Sequence, residues 1–302
     1  MLSYQHAFHA GNHADVLKHF VLTYVLDSLN KKDKPYIFFD THSGSGIYDL
    51  LDNRILKTGE AQSGIQLLLQ KKDELPLELN SYLDLVQKYL KKSLYPGSPE
   101  IECNKLKENS TLVLSELHPT EYEFLKQNIY KSESAKNKNV NVHYRNGFEM
   151  LNALTPPQIK RGAVLIDPSY EELSDYQNVE KAITSVYKKW TNGIFLLWYP
   201  LLAHRDNVIQ NMKNNIVSKI KTISPNVEIC NISLCVNTKD SHQEVDLQNL
   251  SKNNPPRLYG SSMLVINYPW KLPESSQIAM EKVAKILGQN GNGSVEVEIM
   301  QD

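Results

Sequence analysis

The sequence predicts an α/β protein built on a doubly wound, mostly parallel sheet. Three observations carry that prediction. Short apolar runs alternate with stretches of helical periodicity along most of the 302 residues, the pattern of a parallel sheet covered by helices on both faces. One run, Tyr36-Ile-Phe-Phe39, leads straight into Asp40-Thr41-His42-Ser43-Gly44-Ser45-Gly46, a strand followed by a glycine turn through which a backbone can approach a ligand closely. Another, Ala163-Val-Leu-Ile166, stops at Asp167-Pro168-Ser169-Tyr170, because Pro168 cannot donate to a ladder and restricts the residue before it. Ligands of open α/β sheets bind at the C-terminal ends of the strands, so both turns are candidate binding edges.

Composition narrows the class. Hydrophobic residues make up 41% and charged residues 22%, with a formal net charge of −1. These are the values of an ordinary soluble globular protein. A nucleic-acid partner would have to be met by a local basic patch, since the whole-molecule field is near neutral. The three cysteines, Cys103, Cys230 and Cys235, include no Cys-x-x-Cys pair. That argues against structural zinc and a disulfide framework, and for the reduced thiols of a cytoplasmic protein. The first twenty residues are rich in His, Asn and Gln, unlike a signal peptide. The longest apolar run, Ile194 to Leu202, is too short to span a bilayer.

The elements follow in order. Asn12 is placed to cap a helix whose broad apolar face carries Val16, Leu17, Phe20, Val21, Tyr24 and Val25;. Asp15, Lys18 and His19 lie off that face and read as a solvated polar side. His9 and His13 are four apart, but no further ligand at a supporting spacing makes a metal site. Residues 49–94 interrupt the alternation. Gln62 to Leu69 and Leu77 to Lys92 look helical, the second with a stripe of Leu79, Tyr82, Val86 and Tyr89;. They read as a helical subdomain inserted between 1–48 and 95–302. Tyr95-Pro-Gly-Ser98-Pro99 is a tight turn that returns the chain.

The strand Thr111 to Leu114 ends at Ser115-Glu116. An acidic residue ending the second strand suits a ribose diol, because a carboxylate accepts two hydroxyl hydrogen bonds. Asp40 and Glu116 lie 76 positions apart, where about 20 is usual; the insertion accounts for the excess. Thr120 to Tyr130 reads as a helix, 131–139 as a Lys-rich loop, and Val140 to Tyr144 as a strand ending at Asn146-Gly147. Phe148 to Leu154 and Tyr176 to Lys189 read as helices, and Gly193 to Pro200 as a buried strand. Val227 to Val236 and Ser261 to Ile266 read as an antiparallel pair flanking a polar stretch at 237–258. A helix from Met280 to Leu287 precedes a polar tail.

A carboxylate, a backbone carbonyl and an aromatic ring at a strand's rim suit methylation of an exocyclic amine such as adenine N6. The two oxygens accept the amine's hydrogens and stabilise the charge that develops on nitrogen. A ring stacked on the base contributes about 1–3 kcal/mol. The bland alternative is a strand-ending turn with a packed tyrosine. The glycine turn and Glu116 would equally suit a nicotinamide dinucleotide, so an oxidoreductase stays open. So do an amino-methyltransferase acting on DNA adenine or a protein glutamine, and a non-catalytic RNA-binding relative.

Longer motifs bear on that choice. The sequence contains Tyr4, the string His9-Ala-Gly-Asn-His-Ala-Asp-Val-Leu-Lys-His19, Asp40-Thr-His42, Pro96-Gly-Ser98-Pro99, Glu116-Leu-His-Pro119, Leu165-Ile-Asp-Pro-Ser-Tyr-Glu171, Trp198-Tyr-Pro200 and Asn267. Over nearly its whole length it resembles the bacterial 23S rRNA adenine-N6 methyltransferases. The resemblance implies a class I, Rossmann-like methyltransferase fold with a helical insertion, S-adenosylmethionine as donor, and 23S rRNA, free or partly assembled, as substrate. A monomer suffices, and neither a metal nor a membrane is involved. It also implies that Lys18, His19, His42, Ser98, Glu116, Asn146, Gly147 and Asp167 line the cofactor site, that Asp167 is catalytic, and that Tyr4 and Tyr170 contact substrate. Two departures stand out: Ser169 occupies the place of the second proline in Asp-Pro-Pro-Tyr, and Asn146 the place of an aspartate.

Overall fold

Apolar runs flanked by turns form the strands of the computed structural model, which describes residues 8–242 and 258–300. In chain order they are β1 (Ile37–Asp40), β2 (Ile47–Asp49), β3 (Leu94–Pro96), β4 (Thr111–Glu116), β5 (Asn139–Tyr144), β6 (Gly162–Ile166), β7 (Ile194–Leu201), β8 (Ile229–Cys235), β9 (Gly260–Ile266) and β10 (Ser294–Ile299). Among the described residues one sheet has eight strands, in the order β5-β4-β1-β6-β7-β9-β8-β10. The first five of these run parallel. β9 lies antiparallel to β7 and β8, and β10 antiparallel to β8. The connections reverse direction at β1, which has β4 on one side and β6 on the other. A crevice opens there at the C-terminal ends of the strands.

The helices are α1 (His13–Asn30), α2 (Asn53–Thr58), α3 (Leu67–Gln70), α4 (Asn80–Leu90), α5 (Ser98–Lys105), α6 (Pro119–Lys131), α7 (Gly147–Leu154), α8 (Leu173–Lys189), α9 (Asp206–Ile223) and α10 (Leu272–Leu287). The two-residue period of the strands divides the core. Phe38, Leu112, Leu165 and Leu196 face a layer containing α1, α5 and α10. Phe39, Val164, Ile166 and Phe195 face a layer containing α8 and α9. All five residues of β6 are buried, as a strand covered on both faces requires. No helix among the described residues is long and apolar enough to cross a membrane.

The stretch 49–94 is helical and is closed at its base by an antiparallel pairing of β2 with β3, Ile47 opposite Pro96. Its buried Ile55, Ile65, Leu68, Tyr82, Leu83 and Val86 join the same hydrophobic cluster as α1 and α10. This stretch therefore packs onto the main core. It is also stitched to the N-terminal string: the Ile65 amide donates to the Gly11 carbonyl at 2.9 Å. A Cβ on Gly64 would stand 2.2 Å from that carbonyl oxygen.

The structure corrects the sequence reading in four places. The tail holds a strand, β10, whose Val295 and Val297 alternate with glutamates against β8. Residues 206–223 form α9, with Ile209, Met212, Ile216 and Ile220 buried at helical spacing. The turn at 95–99 continues into α5, which opens with Pro99 in its first turn;. Asp15, Lys18 and His19 are buried, at 1%, 4% and 1% exposure, so this side of α1 is not solvated.

Candidate active site

Three strand ends meet in the crevice. After β1, Gly44 and Gly46 take φ of +57° and +79°, the left-handed region that favours glycine. The turn is tied to the next strand by the Ser43 amide on the Ser115 carbonyl (3.0 Å) and the Gly44 amide on Glu116 Oε2 (2.8 Å). Glu116 Oε1 accepts from the His118 amide at 2.7 Å. Burial raises the pKa of Glu116, and these backbone donors pull it back toward the charged form;. Each oxygen retains acceptor capacity toward the rim.

Beneath the turn Asp40 is fully buried. Its Oδ2 accepts from Ser98 Oγ at 2.7 Å and its Oδ1 from the His42 amide at 3.1 Å. Burial pushes its pKa up to about 7, against the pull of those two donors. His42, half-buried, is driven down to about 4 by the same desolvation and is neutral at physiological pH. Its ring meets Phe148 edge-on, with centroids 5.1 Å apart.

The third wall is the end of β6 with the polar side of α1 behind it. Lys18 Nζ lies 2.6 Å from Asp167 Oδ2 and 2.9 Å from Asp15 Oδ1. Burial acts to lower the lysine pKa, but the two carboxylates outweigh it and hold the ammonium charged;. His19 Nε2 lies 3.8 Å from the same Asp15 oxygen. Asp15 is anchored in turn by the Gly11 amide at 2.8 Å. His19 Nδ1 bonds the Tyr95 hydroxyl at 2.8 Å, and Tyr95 bonds Tyr82 of the insertion at 3.1 Å. Asp167 keeps 13% of its side chain accessible and lines the crevice.

Asn146 caps α7, its Oδ1 accepting from the Phe148 and Glu149 amides. Gly147 has no room for a side chain, since a Cβ there would fall 1.9 Å from the Thr41 carbonyl oxygen. The α7 terminus is thus pressed against the turn after β1.

A cleft of about 1160 Å³, including its open mouth, is lined by Lys18, His19, His42, Ser98, Glu116, Asn146, Gly147 and Asp167. Tyr170 is not among the lining residues. It is 2% exposed, packed against Tyr176 with centroids 4.7 Å apart, and its hydroxyl donates to the Trp198 carbonyl at 3.0 Å. Its φ of +52° costs a non-glycine residue roughly 1–2 kcal/mol, and this conformation aims the ring inward. In this arrangement Tyr170 packs beneath the turn and does not line the cleft. Tyr4 lies outside the described residues.

Sequence reasoning passed over Asp40, Thr41, Phe148 and Asn178. The last three line the cleft, and Asp40 holds Ser98 and His42 in place. Thr41 and Phe148 each adjoin a residue that was identified, so the turn was readable although their own roles were not. Asn178 carries no local signal.

This strand order, with a glycine turn after the first strand, an acidic end to the second and an Asp-Pro turn on the fourth main strand, defines a class I methyltransferase fold, which takes S-adenosylmethionine. Residues 33–231 match the family described as ribosomal RNA large subunit methyltransferase D, RlmJ. The chain is 37% identical over 300 residues to ribosomal RNA large subunit methyltransferase J of Escherichia coli, covering 98% of each chain. It is 38% identical over 304 residues to the protein of that name from Haemophilus influenzae, covering 99% of this chain and 98% of the relative. A crystal structure of a Legionella pneumophila protein superposes with a TM-score of 0.79 at 34% identity, over 96% of this chain and 98% of that one. The chain belongs to this family of rRNA large-subunit methyltransferases.

Proposed function

We propose that the chain methylates the N6 amine of one adenine in 23S rRNA, with S-adenosylmethionine as donor. The observation that carries the reading is the Asp167-Pro168 rim. A partly accessible carboxylate, bonded through one oxygen to Lys18, lines the same cleft as the glycine turn. Family membership supports rRNA as the substrate.

The residues of the cleft fit the donor. Glu116 offers acceptor lone pairs to a ribose diol, and His42 with Phe148 offers a largely apolar wall. Closely packed Gly44 and Gly147 keep the backbone near the ligand;. The partly accessible Asp167 carboxylate suits a cationic sulfonium;. When bound, the donor supplies an electrophilic methyl group.

The chain's own part is positioning and charge stabilisation. Asp167 Oδ1 and the Pro168 carbonyl accept the two hydrogens of the adenine amine. Lys18 fixes Asp167 in direction. The nitrogen gains positive charge as it takes the methyl, and the nearby carboxylate stabilises that charge. The amine proton leaves afterwards to water, so no strong base is needed. The adenine must leave its stack to reach the rim. Tyr4 belongs to this reading as a substrate contact, on the strength of the family resemblance.

The test is transfer of label from S-adenosylmethionine to 23S rRNA, duplex DNA and a glutamine-bearing protein, assayed side by side. The expected result is label in rRNA alone, recovered as N6-methyladenosine. Label in DNA or protein and none in RNA overturns the substrate; a different methylated nucleoside overturns the acceptor atom.

A further inference from the structure

The turn that carries Asp167 is held from behind by a residue outside the cleft. Arg205 ends the short helical turn Ala203–Arg205 that follows β7. Its Nη1 donates to the Tyr170 carbonyl at 2.6 Å and its Nη2 to the Glu171 carbonyl at 3.0 Å. The guanidinium also lies 5.9 Å from the centre of the Tyr176 ring. A planar fork can serve two neighbouring carbonyls at once, whereas an ammonium is a single point charge on a flexible stem.

This turn has particular need of an external hold. Tyr170 sits in the left-handed region at φ +52°, which other contacts must maintain. The residue before it is Ser169, without the ring that would fix φ at that position. The Tyr170 hydroxyl is tied to Trp198 on β7, and its carbonyl to Arg205 just past the end of β7. Side chain and backbone of one strained residue are thus fastened to the neighbouring strand and its exit.

We propose that Arg205 is a positioning residue for methyl transfer, its fork replacing the rigidity that a proline at position 169 would supply. The inference rests on the function proposed above. Arg205 touches no reacting atom. By fixing the carbonyls of Tyr170 and Glu171 it sets the direction of the Pro168 carbonyl and the Asp167 carboxylate. Displacement of such groups by about 1 Å costs about a hundredfold in rate.

The test compares Arg205→Ala, Arg205→Lys, Ser169→Pro and the Arg205→Ala/Ser169→Pro pair in the full chain. The readouts are kcat and KM on 23S rRNA, donor affinity by calorimetry, and hydrogen exchange over residues 167–173. Arg205→Ala is expected to lower kcat about ten- to hundredfold, leave donor affinity within about twofold, and quicken exchange in that segment. Ser169→Pro serves as the reference for the pair: against that single variant, Arg205→Ala/Ser169→Pro recovers most of the kcat and protection lost in Arg205→Ala, which a merely structural arginine would not allow. Arg205→Lys falls between wild type and Arg205→Ala; should the alanine variant not fold, Arg205→Lys with and without Ser169→Pro carries the same comparison. A kcat for Arg205→Ala within about twofold of wild type, or no recovery in the pair, overturns the proposal. A wild-type chain inactive on rRNA would sink the functional reading instead; exchange would still judge the clamp, and unchanged exchange in Arg205→Ala would overturn it.

Discussion

Asp40 and Asp167 close two adjacent parallel strands, and their surroundings give them opposite roles. Asp40 pairs in register with Leu165, so Asp167 stands two residues further out along β6, about 7 Å nearer the crevice. At the inner level the carboxyl is fully buried, bonded to Ser98 and the His42 amide, and its pKa is pushed up to about 7. At the outer level it meets the charged Lys18 and stays partly accessible. A buried carboxyl with only neutral donors organises backbone; one partnered by a buried cation can stay charged and face a ligand. The same side chain thus builds the site at one level and serves it at the other.

Removing the cation is the most severe way to break this contrast. Lys18→Met removes the ammonium between the buried Asp15 and the partly accessible Asp167; breaking a buried ion pair typically costs about 3–5 kcal/mol. Denaturant unfolding should show that loss, and methyl transfer should fall with it. Stability within about 1 kcal/mol of wild type would mean that this ammonium is not the anchor described.

Glu116→Ala probes the glycine turn from the other side. It removes the acceptor of the Gly44 and His118 amides and the candidate ribose contact. Hydrogen bonds to a charged group are worth about 1.5–3 kcal/mol each, so donor affinity by calorimetry should weaken at least about tenfold, with the fold retained.

Asp40→Asn sharpens the contrast through pH. The raised pKa of Asp40 means that the folded chain holds a proton there, between the ordinary carboxylate value near 3.8 and about 7, that the unfolded chain has released. Wherever the folded state binds more protons, stability falls as pH rises. The stability of wild type minus that of Asp40→Asn should therefore decline across this window. His42 and His13, both lowered to about 4 by burial, act in the opposite sense, but they are common to both proteins and cancel in the difference. Parallel pH–stability curves would contradict the assignment.

Asn146→Asp should have the smallest effect. Both side chains cap helices well, and an anion at the α7 N-terminus adds about 0.3–1 kcal/mol. Thermal melting should show a slight stabilisation and an intact fold.

How much of this was readable in advance depended on whether the signal was local. β1, β6 and their turns announce themselves because apolar runs end at glycine or proline. The helical stretch 49–94 is visible as a break in the alternation. Local periodicity also exists for α9 and β10, but asparagines and lysines dilute the first, and the second is only half-buried at the sheet's edge. α5 was hidden by its buried acids: Glu100 and Glu102 sit inside the core, at 3% and 0% exposure, where an amphipathic pattern would place apolar residues. The polar side of α1 looked like a surface because pattern alone does not reveal that β6 and the insertion cover it. The burial of Tyr170 was hidden for a related reason. Its inward aim follows from a left-handed φ that Arg205 and Trp198 maintain, and both lie about thirty residues away.

The most direct test is nucleoside analysis of unmethylated 23S rRNA after incubation with S-adenosylmethionine and either the wild-type chain or Asp167→Asn. The account predicts N6-methyladenosine at about one site per molecule with wild type. It predicts a drop of about a hundredfold or more with Asp167→Asn, which loses the charge facing the amine, while calorimetry shows the donor still bound. Wild-type yield from Asp167→Asn would contradict it.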